Sequence, residues 1–245
     1  MSSYLFVILF FLNFVSKSSS FHFNQTARKF VSTLAGLTIY YPNVILPNYA
    51  FIDSAKASPV QSGSYSKTYV QTNNNNIYFF GGLTKESSKS LKDALQELIN
   101  TSLLFENQFK TKSPPINLHI QSEGGSLLHS MYIVDMIHNS PITINTYVDG
   151  FAASAATLLS VSGHKRFMSE NSLMLIHQLS SSSSGKYNEL TDDMDNFNTF
   201  MDIIKKIYYK HSKITPNELN ELLKHDLWLD SQKCLEYGLV DEITK

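Results

Sequence analysis

Cysteine is almost missing from this chain: Cys234 is the only thiol in 245 residues. No disulfide can form within the chain, and no Cys/His cluster has the spacing of a zinc site. No glycine-rich loop is followed by the lysine that phosphate-binding loops use, so no site for hydrolysing ATP is visible. An excess of either charge is missing too. Twenty Lys and Arg face 21 Asp and Glu, a formal net charge of −1, and nothing marks a nucleic-acid surface. Long apolar runs are confined to residues 4–15, and twelve residues are too few to span a bilayer as a helix.

The near-neutral total hides an asymmetry. Residues 1–70 carry five basic side chains and one acid, so the remainder carries 15 basic and 20 acidic ones. Residues 1–20 read as a signal-like hydrophobic segment, and residues 21–70, acid-poor, hydroxyl-rich and mildly basic, read as a transit-like or disordered extension. That order predicts delivery to a plastid through the secretory route. Plain secretion and a short membrane anchor are the alternatives. Residues 71–245 are then one domain, and the chain's 42% hydrophobic content is ample for a core.

Within that domain, strand-like and helix-like patterns alternate, which predicts an α/β fold. Asn73–Asn76 is a polar tract expected to be a flexible lead-in. A helix is expected over 87–100, with Leu91, Leu95, Leu98 and Ile99 on one face. After the serine run 180–184, apolar residues at 190, 194, 197, 201, 204 and 208 step by four and three, drawing one stripe along a long helix. Such a stripe suits core packing or burial against another subunit. Thr215-Pro216-Asn217-Glu218 opens a further helix with a cap, a first-turn proline and a glutamate three residues on. Cys234 falls in a short helix ended by Gly238 and is expected to be a packing residue.

Four places carry candidate chemistry. In Gly150-Phe151-Ala152-Ala153-Ser154-Ala155-Ala156, one hydroxyl stands among small residues between an alternating strand and a helix start. A serine at such a turn is held out of the sheet near the free N–H groups of a helix's first turn, which favour an oxyanion. Gly124-Gly125 follows the strand Ile116, Leu118, Ile120 and permits close backbone approach. His177 ends the apolar run 173–176, and Asp226 precedes Leu227-Trp228-Leu229, with Asp230 and Asp241 as rival carboxylates. Each has an ordinary reading when taken alone: a close-packed helix, a βα turn, a solvated histidine, a turn aspartate.

Taken together these segments resemble the proteolytic subunit of the Clp protease, a self-compartmentalising serine peptidase. The resemblance spans roughly residues 77–244 and runs through Ile77–Gly82, Gly124-Gly125, Gly150–Ser154, Met174–Gln178, His225–Leu229 and Glu236–Asp241, in the family's order. It implies a ClpP/crotonase-like fold of repeated β-β-α units with a protruding strand-helix handle over 179–211. It implies a triad of Ser154, His177 and Asp226, oxyanion donors on Gly125 and Ala155, and substrate contact at Gly124. It also implies two stacked heptameric rings, homomeric or mixed, that receive unfolded polypeptide from a Clp-type AAA+ unfoldase. No cofactor is expected in this chain, since ATP would be used by that partner.

Three positions depart from the family pattern. Glu123 stands where proline usually precedes the paired glycines, Ala155 replaces a bulky methionine, and Leu227 replaces a charged residue after the acid. Two other classes stay open: a non-catalytic structural ring subunit, and a crotonase-fold enzyme acting on acyl-CoA thioesters, which would not need all three triad residues.

Overall fold

A computed structural model describes residues 68–245. The signal-like segment and nearly all of the transit-like segment, up to residue 67, lie outside the described residues.

The chain runs β1 (Tyr69–Asn73), β2 (Asn76–Phe80), α1 (Lys85–Phe109), β3 (Ile116–Ser122), α2 (Leu127–His138), β4 (Ile144–Ala153), α3 (Ala155–Val161), β5 (Lys165–Ser169), β6 (Leu173–Leu175), α4 (Tyr187–His211), α5 (Pro216–Leu222), β7 (Trp228–Asp230), α6 (Ser231–Glu236) and β8 (Glu242–Thr244). The main sheet has the order β1-β2-β3-β4-β5-β8, and β6 and β7 branch from β4. From β2 to β8 the neighbours are parallel, as strand-helix-strand connections require. This is the mixed α/β architecture expected.

Period-two alternation decides which face is covered. Ile77, Phe79, Leu118, Ile120 and Val148 are fully buried beneath the helices, while Tyr78, His119, Tyr147 and Phe167 sit in register on the opposite face. Those four rings stack in a row with centroids 4.5–4.7 Å apart, cross-strand contacts of the kind that stabilise a sheet. His119 Nδ1 also lies 2.7 Å from the Asp149 carboxylate.

Two expectations are corrected. Asn73–Asn76 is no loose lead-in: Asn74 and Asn75 make the tight turn of the β1–β2 hairpin, with Asn73 paired to Asn76. Asn74 adopts φ 51°, which its short polar side chain tolerates. The handle's expected strand does not form either, since residues 176–186 have no regular structure. A serine-rich segment with no neighbouring strand has nothing to complete its hydrogen-bond ladder. The first helix is longer than expected. The Thr84 cap box starts it, and Lys110 in the left-handed region ends it.

Helix α4 forms where the apolar stripe put it, but only Ile204 and Tyr208 are buried, and Leu190 and Met194 are exposed. Its carboxyl end is anchored. Arg166 donates to the carbonyls of His211 and Gly238 and to the Asp241 carboxylate, and the His211 ring meets His138 edge-on at 4.8 Å.

Burial, and then the neighbouring His138, Lys210 and Arg166, push the His211 imidazole down to about 4 from 6.5. The unfolded chain therefore takes up a proton between those values that the folded chain refuses. Stability is expected to fall as pH is lowered from 6.5 towards 4, read as a falling urea midpoint. His211→Gln should flatten that limb, and an unchanged slope would show that His211 does not contribute to it.

Candidate active site

Ser154 sits alone between β4 and α3 with φ 56° and ψ −130°. That conformation costs a non-glycine residue about 1–3 kcal/mol and persists only where its surroundings impose it. They do so from two sides. The Ser154 N–H donates to the Leu175 carbonyl at 2.9 Å, and its own carbonyl accepts from the Thr157 N–H at 3.0 Å. Against the other side lies Gly124 at φ +87°, where a Cβ would stand 2.5 Å from the Ala153 carbonyl oxygen, 2.8 Å from Ser154 Cβ and 2.9 Å from the Ala155 nitrogen. Only glycine permits that approach.

The paired-glycine turn is itself fastened. Leu83 N–H donates to the Gly124 carbonyl at 2.7 Å, and Ser126 N–H donates to the Leu83 carbonyl at 2.8 Å. This clips residues 124–126 to the start of α1, with Gly125 left at φ +143°. The N–H groups of Gly125 and Ala155 find no acceptor among the described residues, whereas the Gly124 N–H is taken by the Ser122 hydroxyl at 3.1 Å. Two backbone donors therefore remain available beside Ser154.

Strand register brings the other two candidates in. Ala153 pairs with Leu175 in the parallel β4–β6 ladder, and Leu175 pairs with Trp228 in the antiparallel β6–β7 ladder. Continuing the second register by two residues sets His177 opposite Asp226. His177 Nδ1 lies 3.9 Å from Asp226 Oδ1. Of the rival carboxylates, Asp230 caps α6 by accepting from the Lys233 N–H at 2.8 Å and Asp241 binds Arg166. Asp226 alone of the three faces the imidazole.

The expected hydrogen-bonded succession is not closed. At 3.9 Å the His177–Asp226 contact is an ion-pairing distance rather than a hydrogen bond, and none joins His177 to the Ser154 hydroxyl. Asp226 lies just before a three-residue edge strand and its side chain is 59% exposed, so nothing among the described residues presses it inward. From Gln178 a groove of about 500 Å³ runs between residues 178–183 and α4, floored by Leu179, Leu190, Met194 and Met201.

The Clp protease family model matches residues 75–245. The chain belongs to the Clp protease family. It is 32% identical over 158 residues to the ATP-dependent Clp protease proteolytic subunit of Streptococcus mutans, covering 62% of this chain and 80% of that one. It is 29% identical over 159 residues to the subunit of the same description from Cyanophora paradoxa, covering 64% and 81%. A mutant ClpP1 from Listeria monocytogenes superposes with a TM-score of 0.61 at 21% identity, covering 70% of this chain and 92% of that one, which shows a shared fold.

Two of the departures from the Clp family pattern now have positions. The Glu123 carboxylate turns towards Gly82, where its Oε1 would be 3.0 Å from an added Cβ. Leu227 is 59% exposed beside Asp226. One supporting residue was missed from sequence: Ser122 continues the buried face of β3 where an apolar side chain belongs, and its hydroxyl holds the Gly124 N–H. That break in the alternation was the readable signal.

Gly124 and Gly150 share φ +87°, yet the nearest atom to an added Cβ is 2.5 Å away at Gly124 and 3.6 Å at Gly150. Chemical denaturation should find both alanine variants destabilised, by about 1 kcal/mol at Gly150 from backbone strain alone and by at least about 2 kcal/mol at Gly124, where collision is added. Equal losses would mean that Gly124 is not packed against the Ser154 turn.

Proposed function

We propose that this chain is a serine endopeptidase, the proteolytic subunit of an ATP-dependent Clp-type protease that hydrolyses unfolded polypeptide through an acyl-enzyme. The observation that carries the reading is the convergence of two ladders: the register that seats Ser154 on β6 also sets His177 against Asp226.

In this reading His177 takes the Ser154 proton as Oγ attacks the scissile carbonyl and returns it to the leaving amine. Asp226 orients the imidazole, fixes its tautomer and stabilises the imidazolium. The Gly125 and Ala155 N–H groups receive the oxyanion, and Gly124 lets the substrate backbone lie close. Water then repeats the sequence on the acyl ester. An extended peptide has room along residues 178–183, whose backbone lacks a strand partner.

The 3.9 Å His177–Asp226 separation gives substance to a second reading, a structural ring subunit without turnover. A fluorophosphonate separates the two. The first predicts labelling at Ser154 and a loss of peptide hydrolysis on the order of 10³-fold or more in Ser154→Ala and His177→Ala. The second predicts no labelling, and peptide cleavage surviving Ser154→Ala would dismiss the nucleophile outright.

We place ATP use in a partner AAA+ unfoldase and the active sites inside two stacked heptameric rings, homomeric or mixed. The acid-poor leader supports delivery to a plastid. Residues 1–70 fused to a fluorescent protein should reach that organelle, and the same fusion without residues 1–20 should not. Organelle import of the shortened fusion, or secretion of the full one, would overturn the two-step route.

A further inference from the structure

We propose, on the reading of Ser154 and Ala155 given above, that Thr157 and Tyr208 are positioning residues: a buried two-hydroxyl relay from the handle helix that sets the direction of the Ala155 N–H.

The Thr157 hydroxyl lies 2.6 Å from the Ser154 carbonyl oxygen and 2.5 Å from the Tyr208 hydroxyl. A carbonyl oxygen has no proton to give, so Thr157 donates there and spends its one hydrogen. Tyr208 must then be the donor to Thr157. The relay runs Tyr208 O–H to Thr157 Oγ1–H to the carbonyl of Ser154, in surroundings where Thr157 is 0% and Tyr208 2% exposed. Burial also pushes the phenol well above its usual range, so it stays a proton donor at any physiological pH.

The Ser154 carbonyl and the Ala155 N–H belong to one planar peptide unit and point in opposite directions. Whatever fixes the carbonyl therefore fixes the donor. That carbonyl is held twice by Thr157, through its N–H at 3.0 Å and its hydroxyl at 2.6 Å. Hydrogen bonds in series polarise one another, so the relay also strengthens the Ala155 N–H as a donor. Tyr208 lies on α4, whose amino-terminal half is exposed and whose carboxyl end alone is buried. A shift of that helix along its axis would thus be felt at the Ser154–Ala155 peptide, with no contact between α4 and substrate.

The test uses the full chain and the variants Tyr208→Phe, Thr157→Val, Thr157→Ser and the Tyr208→Phe/Thr157→Val pair. Two quantities are read: the rate of fluorophosphonate acylation at Ser154 per folded protein, and hydrogen exchange at the Ala155 amide. Tyr208→Phe and Thr157→Val are each expected to slow acylation about 10-fold, a fraction of the loss from deleting an oxyanion donor, and to speed exchange at Ala155. The double variant should be no slower than Thr157→Val, because Tyr208 acts only through Thr157, and Thr157→Ser should stay within about 2-fold of the parent. Parental acylation and parental exchange in both single variants would overturn the relay. If the parent is not labelled at Ser154, the nucleophile reading fails and the Ala155 exchange decides the relay by itself. Should Thr157→Val not fold, Tyr208→Phe, which keeps the ring and loses one oxygen, decides it.

Discussion

The close approach of Gly124 to the peptide on either side of Ser154 is the contact on which the remaining geometry rests. A strained residue at φ 56° survives because hydrogen bonds hold its N–H and its carbonyl and glycine backbone closes the other side. That contact locks the end of β3 to the end of β4, and β4 in turn carries β6 through its last three residues. Because β7 pairs only with β6 among the described residues, the place of Asp226 is inherited through two ladders from the place of Ser154. A shift of one residue anywhere along that series would turn the imidazole or the carboxylate to the opposite face.

The same order of dependence leaves the outer member the most exposed. Exposure rises with distance from the Gly124 contact: Ala153 is buried, the His177 side chain is 22% exposed and that of Asp226 59%. Catalytic hydrogen bonds are often long before substrate tightens them. The exposed apolar residues of α4 and the unpaired serine-rich segment lie on the same side of the chain's sequence, directly after His177.

Much of this was readable before any coordinates. The four-three spacing located α4, the Thr215–Glu218 box located α5, and the small residues around Ser154 located the turn, because each rests on interactions within a few residues. What escaped was long-range. Asn73–Asn76 reads as a polar linker until β1 is seen to pair with β2, and polarity alone does not distinguish a hairpin turn from a loose segment. The choice among Asp226, Asp230 and Asp241 depended on which had other partners, a cap in one case and Arg166 in another. Tyr208 reads as one more member of an apolar stripe, and only its 2.5 Å contact with Thr157, 51 residues away, gives its hydroxyl a purpose.

The most direct measurement of the central claim is a high-resolution structure of the assembled particle with Ser154 acylated by a fluorophosphonate or mimicked by a transition-state analogue. Asp226 is expected to close onto His177 Nδ1 to about 2.6–3.2 Å, and the other ring nitrogen to come within the same reach of Ser154 Oγ. The Gly125 and Ala155 N–H groups are expected to point at the bound oxygen. An imidazole with no ring nitrogen in reach of Ser154 Oγ in any subunit, with the Asp226 contact still open, would contradict this arrangement.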